Sequence, residues 1–168
     1  MRFLKKSTNH HGVHSPFIYD FVTTVFYNKK KQLSTNSSKK TAFFERFIEH
    51  LTIQSLTAYG TINLEIKKCI AAQNIKQISI NKLQNYTSDC LYISKNAKLN
   101  TISTETLLKA LHNNSVIVFE DIYHNKRRTL YWQKLSEHKE TTAIIDGFYF
   151  GFIFLRKEQK KQTFTIRM

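Results

Sequence analysis

Short apolar stretches alternate with amphipathic ones along most of this chain. Residues 115–119 (SVIVF) are almost wholly apolar, which is typical of a strand buried on both faces of a parallel sheet. Residues 41–51 (TAFFERFIEHL) instead carry apolar side chains at helical spacing. The pattern predicts helices at 17–27, 41–51, 63–73, 104–112 and 130–138, and strands at 55–59, 77–80, 89–93, 115–119, 142–145, 149–155 and 164–166.

Strands that alternate with helices and end in a close hairpin predict an α/β fold, a doubly wound and mostly parallel sheet with a C-terminal antiparallel hairpin. Residues 28–40 (NKKKQLSTNSSKK) contain almost nothing apolar and resemble a flexible linker. We therefore expect an N-terminal helical extension and basic linker at 1–40, followed by one domain at 41–168.

The composition is globular, with 41% hydrophobic and 13% aromatic residues. Only 4 Gly are present, which is few for a chain with a nucleotide-cradling loop, since such a loop alone usually has two or three. Cys69 and Cys90 are isolated in apolar surroundings, which predicts buried thiols and not a zinc knuckle or a disulfide framework. No apolar run is typical of a signal peptide or a membrane span, so we expect a reducing cytoplasm.

The formal net charge of +14 is large for 168 residues, and the excess is concentrated in the first forty, which include the run Lys29, Lys30 and Lys31. A basic excess favours binding to nucleic acid or another polyanion through counterion release. It is equally typical of a solvated surface. The sequence leaves both interpretations open.

Three stretches resemble one protein family: residues 11–27 (HGVHSPFIYDFVTTVFY), 113–125 (NNSVIVFEDIYHN) and 142–168 (TAIIDGFYFGFIFLRKEQKKQTFTIRM). They are similar to class I S-adenosylmethionine-dependent methyltransferases, in particular an O-methyltransferase-like group of Bacteroidetes-type bacteria. The resemblance implies a Rossmann-like seven-stranded sheet whose last strand is antiparallel. It also implies S-adenosylmethionine as cofactor and methyl transfer to an acceptor oxygen or nitrogen.

The family's cofactor loop resembles E-x-G-x-x-x-G-x-G, and the matching stretch here is residues 57–66 (TAYGTINLEI). The resemblance makes Gly60 and Thr61 candidate cofactor-binding residues. Thr57 stands in place of the acid, while Leu64 and Ile66 stand in place of glycines. Because glycine lets the backbone approach a ligand closely, we expect these two branched side chains to intrude on the cofactor's space.

A third candidate cofactor-binding residue, Asn81, follows the second predicted strand, where the family has an acid that accepts hydrogen bonds from the ribose. Asparagine can still accept such bonds but carries no charge. The family's metal-binding acid after the next strand is replaced by Ser94, with Lys95 beside it. A neighbouring cation disfavours a divalent metal, so no metal site is expected.

Glu120 and Asp121 follow the apolar strand 115–119 and are the candidate catalytic residues. The alternative is structural: Asp121 caps the following turn or pairs with the basic run 126–128. The aromatic residues of the hairpin, 148–154, could likewise stack nucleic-acid bases or simply pack. No acid or cysteine that could complete a zinc site stands near His10, His11 and His14, which favours a structural role over zinc binding.

Two functional hypotheses follow. The first is a methyltransferase-family protein with impaired or lost binding of S-adenosylmethionine, because the glycine loop and two acidic positions are altered. The second is a non-catalytic basic binding or scaffold module, for nucleic acid or another polyanion. The methyl acceptor, whether a small molecule or a macromolecule, the binding partner and the oligomeric state stay open.

Overall fold

The computed structural model of the protein describes residues 14–28, 39–73, 75–82 and 87–166. The helices are α1 (Pro16–Phe21), continued by a π-helical turn (Val22–Phe26), α2 (Lys39–Leu51), α3 (Leu64–Ala72), α4 (Thr104–Lys109) and α5 (Lys126–Glu137), with a 3-10 turn at Leu99–Thr101. The strands are β1 (Ser55–Tyr59), β2 (Gln77–Ile80), β3 (Ser88–Ile93), β4 (Leu111–Glu120), β5 (Ala143–Asp146), β6 (Phe150–Phe154) and β7 (Gln162–Thr165).

The strands form one seven-stranded sheet in the order β2-β1-β3-β4-β6-β5-β7. Only β6 runs antiparallel to its neighbours, β4 and β5. β7 pairs parallel with β5 at the far edge, so the antiparallel strand is the sixth and not the last. The predicted α/β fold, with its mostly parallel sheet and antiparallel hairpin, is confirmed. Residues 116–119 lie at the centre of the sheet and are fully buried, as their apolar run predicts.

Helices cover both faces of the sheet. On one face α1, α2 and α3 pack against side chains such as Tyr92 and Phe152. On the other face α4 and α5 cover Ile117 and Phe119. Alternate residues of the central strands therefore enter different cores, which is why their sequences are apolar throughout.

Two predicted boundaries are wrong by about a turn. The helix expected at 104–112 ends at Lys109, and Leu111 already belongs to β4. The helix expected from residue 130 begins at Lys126, because the Asn125 side chain accepts the backbone N–H of Arg128 and caps it. The start of α5 is thus decided by a side-chain cap that the apolar pattern does not report.

The N-terminal segment belongs to the main core. Ser15 caps α1, and Phe21 is fully buried against Phe47, Phe152 and Phe154. The division at residue 40 stays a prediction, because most of the expected linker, with Lys29–Lys31, lies outside the described residues. His10 and His11 lie outside them too.

The connection between β2 and β3 is short. These strands are parallel and lie on either side of β1, yet only residues 81–87 separate them. Parallel crossovers usually take a dozen residues or more. Ile78 and Ile80 on the edge strand β2 are half exposed.

Both cysteine side chains are buried and unpaired with each other, as predicted. Burial and the nearby Glu45 carboxylate raise the pKa of Cys69 to about 11, so its thiol stays protonated at neutral pH. No helix in the described stretches is both long enough and apolar enough to cross a membrane.

Asp89 ties three strands together at the amino edge of the sheet. Its carboxylate accepts the backbone N–H groups of Gln54 (3.0 Å) and Ser55 (2.8 Å) at the start of β1. It also pairs with His112 Nε2 on β4, 2.9 Å away. The N–H of Asn114 donates to His112 Nδ1, so Nε2 carries the proton that binds Asp89. Burial alone would raise the pKa of Asp89, but the hydrogen bonds from Ser55 and its neighbours hold it below its usual value.

Asp89→Asn should lower the free energy of unfolding by about 2–3 kcal/mol, because hydrogen bonds to a charged acceptor are stronger than those to an amide. The pH dependence follows from the lowered pKa. The stabilisation by Asp89 is present above the pKa of the unfolded chain, about 3.9, and is lost as the pH falls through the folded value. Urea unfolding of both proteins between about pH 6 and pH 3 measures this difference.

Glu137→Gln, an acid-to-amide change at an exposed position of α5, serves as the control and should leave stability nearly unchanged. Equal losses for the two variants, or a stability gap between wild type and Asp89→Asn that stays constant through acid pH, would contradict the role given to Asp89.

Candidate functional site

A cleft opens at the carboxyl edge of the sheet, beside β1. The chain passes from β1 to β2 on one side of that strand, and β3 lies on the other side. Such a switch in strand order is the usual place for a ligand in an open α/β sheet. The cavity has a volume of about 540 Å³, within the usual range of small-molecule sites, roughly 300–1,000 Å³. Its lining residues are Tyr59, Gly60, Thr61, Asn81, Asn96, Lys98, Thr101, Ile102, Ser103 and Thr106.

All three residues predicted to bind a cofactor line this cleft. Gly60 and Thr61 follow β1, and Asn81 follows β2. Gly60 has a φ of +85°, and a Cβ there would lie 2.2 Å from Ser94 Oγ and 2.8 Å from the Ala97 nitrogen. Glycine is thus required by the backbone conformation and by the loop after β3 that packs on it.

Asn81 is held by the loop after β1, to which Gly60 belongs. Its side-chain oxygen accepts the backbone N–H of Gly60 at 2.7 Å. Because an N–H must face an acceptor, the amide oxygen is fixed in this position and the NH₂ group is turned away from it. The NH₂ group of Asn81 is therefore available to a ligand in the cleft, and its oxygen keeps one lone pair for a further bond.

Left-handed backbone conformations recur along this edge of the sheet. Besides Gly60, positive φ values occur at Asn81 (56°), Asp121 (57°) and Phe148 (69°), each at or just beyond the carboxyl end of a parallel strand. Side-chain-bearing residues adopt this region only at some cost in free energy, and such strain tends to concentrate at functional sites.

Leu64 and Ile66 do not intrude on the cleft, so that expectation is wrong. The Asn63 side chain caps α3 by accepting the Ile66 N–H, and this turn directs Ile66 into the core, where it is 1% exposed. Leu64 is 67% exposed at the start of the helix. Thr57 is buried within β1 and contacts the Ser88 hydroxyl at 2.6 Å, so it does not line the cleft either.

The two predicted catalytic acids lie at the same edge but outside the cleft lining. Glu120 is buried, and its carboxylate accepts the Lys95 backbone N–H at 3.0 Å. The Asp121 carboxylate lies 3.6 Å from His124 Nδ1, and within the described residues it forms no ion pair with the basic run 126–128. Their catalytic role stays a prediction.

Arg128, the last residue of the basic run 126–128, is buried under the ends of β3 and β4. Its guanidinium donates to the backbone carbonyls of Ser94 (3.0 Å), Lys95 (3.1 Å), Glu120 and Asp121, and it stacks on the Phe119 ring at 4.5 Å. Burial lowers the pKa of Arg128, while the nearby acids Asp121 and Glu120 oppose that effect. The residue fixes the loop that shapes one wall of the cleft.

A second group of polar and aromatic residues lies at the hairpin between β5 and β6. The Tyr123 hydroxyl donates to the buried carboxylate of Asp146, which also accepts the Phe148 N–H at 3.0 Å. Burial raises the pKa of Asp146, although both hydrogen bonds lower it. Phe148 and Tyr149 are 41% and 57% exposed, whereas Phe150 is buried. Sequence patterning missed this pair, because nothing in the periodicity relates Tyr123 to Asp146.

The distribution of the acidic residues is the most informative feature of the site. All 12 lie in the described part of the chain, and none lines the cleft. Glu105, which is adjacent in sequence to the lining residue Thr106, points to Lys134 at 3.7 Å. Within the described stretches, no three His, Cys, Asp or Glu residues are grouped so that they could hold a metal ion.

No protein-family model and no curated protein matches this chain. Among solved structures, cofactor-bound Rv0187 from MTB is 10% identical with a TM-score of 0.49, covering 84% of this chain and 90% of its own. The O-methyltransferase TomG from Streptomyces achromogenes, in complex with SAM, is 9% identical with a TM-score of 0.46, covering 86% and 91%. The O-methyltransferase from Bacillus cereus, in complex with SAH, is 12% identical with a TM-score of 0.44, covering 90% and 97%. At such low identities and with TM-scores below 0.5, we draw no functional argument from these similarities.

Arg128→Lys should lower the free energy of unfolding by about 2–4 kcal/mol, because a lysine cannot reach carbonyls on both loops and leaves buried acceptors without donors. Thermal and urea unfolding measure the loss. Arg127→Lys is the matched control, since Arg127 is exposed, and its change should stay within about 0.5 kcal/mol. Similar effects of the two substitutions would contradict the role given to Arg128 in fixing the loop after β3.

Proposed function

We propose that this protein is a member of the class I S-adenosylmethionine-dependent methyltransferase family in which binding of that cofactor is weak or lost. The family resemblance of the sequence and the cleft at the carboxyl edge support the first part. The absence of every one of the chain's acids from the cleft lining carries the second.

The chemistry of the cofactor sets the requirement. S-adenosylmethionine carries a positive sulfonium, a positive ammonium and one negative carboxylate, so that its net charge is positive. The cleft offers no carboxylate to the two cationic groups. Lys98 lines the cleft, and its ammonium group would repel the cationic groups of the ligand. The residues present therefore do not fit this cofactor, and we derive no methyl-transfer step.

Calorimetric titration with S-adenosylmethionine should show no saturation at cellular cofactor concentrations. Losing two charge-assisted hydrogen bonds at about 1.5–3 kcal/mol each weakens binding by roughly two to four powers of ten. A micromolar site then falls toward millimolar affinity.

Asn81→Asp provides the gain-of-binding variant, because an aspartate can still accept the Gly60 N–H and adds a charge. It should tighten binding of the cofactor by about tenfold. Asn100→Asp adds the same charge at an exposed position outside the cleft lining and should have little effect. A dissociation constant of tens of micromolar or tighter for the wild type would contradict the proposal.

A second candidate function is binding of a nucleic acid, favoured by the exposed aromatic residues of the hairpin. Phe148 and Tyr149 of the hairpin, and Tyr123 beside them, are all more than 40% exposed. The Phe148 ring contacts both of the other rings. The net charge is +14. Aromatic rings beside cations are the usual platform for single-stranded nucleic acid.

Affinity for a single-stranded oligonucleotide should fall steeply as the salt concentration rises, with a log–log slope of about 0.7 for each neutralised phosphate. Changing Lys126 and Arg127 to Gln, at the same edge as the aromatics, should flatten the slope by one to two phosphates. Changing Lys76 and Lys139 to Gln removes the same charge at the opposite, amino edge and should leave the slope unchanged. No retention of the oligonucleotide at low salt would exclude this function.

A further inference from the structure

The cleft at the ends of β1, β2 and β3 is lined by neutral polar side chains and one lysine, with no carboxylate among them. The hydroxyls of Tyr59 and Thr61, the NH₂ group of Asn81 and the ammonium of Lys98 all belong to lining residues. None of these four groups has a hydrogen-bond or ion-pair partner among the residues that the structure describes. The two hydroxyls can donate or accept, whereas the NH₂ group and the ammonium can only donate, so these four groups favour a ligand that is rich in acceptors.

The acids closest to the cleft in sequence are all engaged elsewhere. Glu65 accepts from the Thr41 hydroxyl at 2.7 Å on the far side of α3. Glu105 faces Lys134, and Glu120 accepts the Lys95 N–H. No carboxylate is therefore placed to pair with the ammonium of Lys98, which leaves that charge for the ligand.

We infer that this cleft binds a small ligand that carries a phosphate group beside a neutral polar body, the chemistry of a nucleoside monophosphate. A phosphate monoester offers three acceptor oxygens and a charge near −2, which matches one ammonium and several neutral donors. The volume of about 540 Å³ accommodates such a molecule, and the ring of Tyr59 and the side chain of Ile102 supply apolar wall. The inference rests on the proposed function only in placing the ligand in the same cleft.

Titration with AMP, adenosine and inorganic phosphate at low salt tests the inference, on the full chain and on two variants. Lys98→Gln removes the charge that lines the cleft. Lys109→Gln removes the same charge from the exposed end of α4, outside the lining. Melting temperatures check that both variants are folded.

AMP should saturate the wild type, and adenosine should bind at least about tenfold more weakly, since it lacks the charged group. Lys98→Gln should weaken AMP by about tenfold or more and adenosine by less than about twofold. Lys109→Gln should change neither. In the NMR spectrum of the backbone amides, AMP should shift the N–H resonance of Gly60.

Absence of saturation by AMP and by inorganic phosphate at millimolar concentration would overturn the inference. Equal affinities for AMP and adenosine, or equal effects of the two lysine variants, would overturn it as well. If neither AMP nor S-adenosylmethionine binds, the inference falls while the proposed loss of cofactor binding stands. Tight binding of S-adenosylmethionine with no binding of AMP overturns both.

Discussion

The guanidinium of Arg128 is the contact on which the shape of the carboxyl edge depends. It joins the carbonyls at the end of β3 to those at the end of β4, and so fixes the loop that begins at Ser94. That loop packs on Gly60, whose left-handed conformation directs the chain into the cleft wall. A neutral side chain could not replace these bonds, because buried carbonyls without donors cost about 1–3 kcal/mol each.

The same region shows how the acids of this chain are used. Glu120 stabilises the backbone of the loop after β3, Asp121 pairs with a histidine and Asp146 holds the hairpin turn. Each carboxylate at this edge is thus committed to the fold. A cationic ligand needs a carboxylate that remains available, whereas an anionic ligand needs only donors, and the cleft retains those. The electrostatic character of the site depends as much on which acids are bonded within the fold as on the positions of the lysines.

The arrangement of the sheet could be predicted because its central strands are apolar throughout and its helices are amphipathic. The burial of Arg128 could not, since a run of three basic residues has no periodicity that distinguishes the buried member. Alignment with a family loop assigned Leu64 and Ile66 to the cofactor's space, but the direction of those side chains is set by the cap at Asn63. The loop that contributes Asn96 and Lys98 has no pattern at all, so its part in the cleft required coordinates.

The net charge adds a long-range component to these local contacts. A concave surface with low-dielectric walls concentrates the field of the surrounding charges, so that a protein with a net charge of +14 raises the local concentration of anions in its clefts. This effect is screened beyond about 10 Å at 0.1 M salt, and charges close to the cleft therefore dominate it. Lys98 lines the cleft, and Lys82 and Lys95 lie next in sequence to Asn81 and Asn96. No acid lines the cleft to offset this field at its wall. The fold thus retains a ligand cleft while its electrostatics favour the opposite charge from the one a sulfonium cofactor brings.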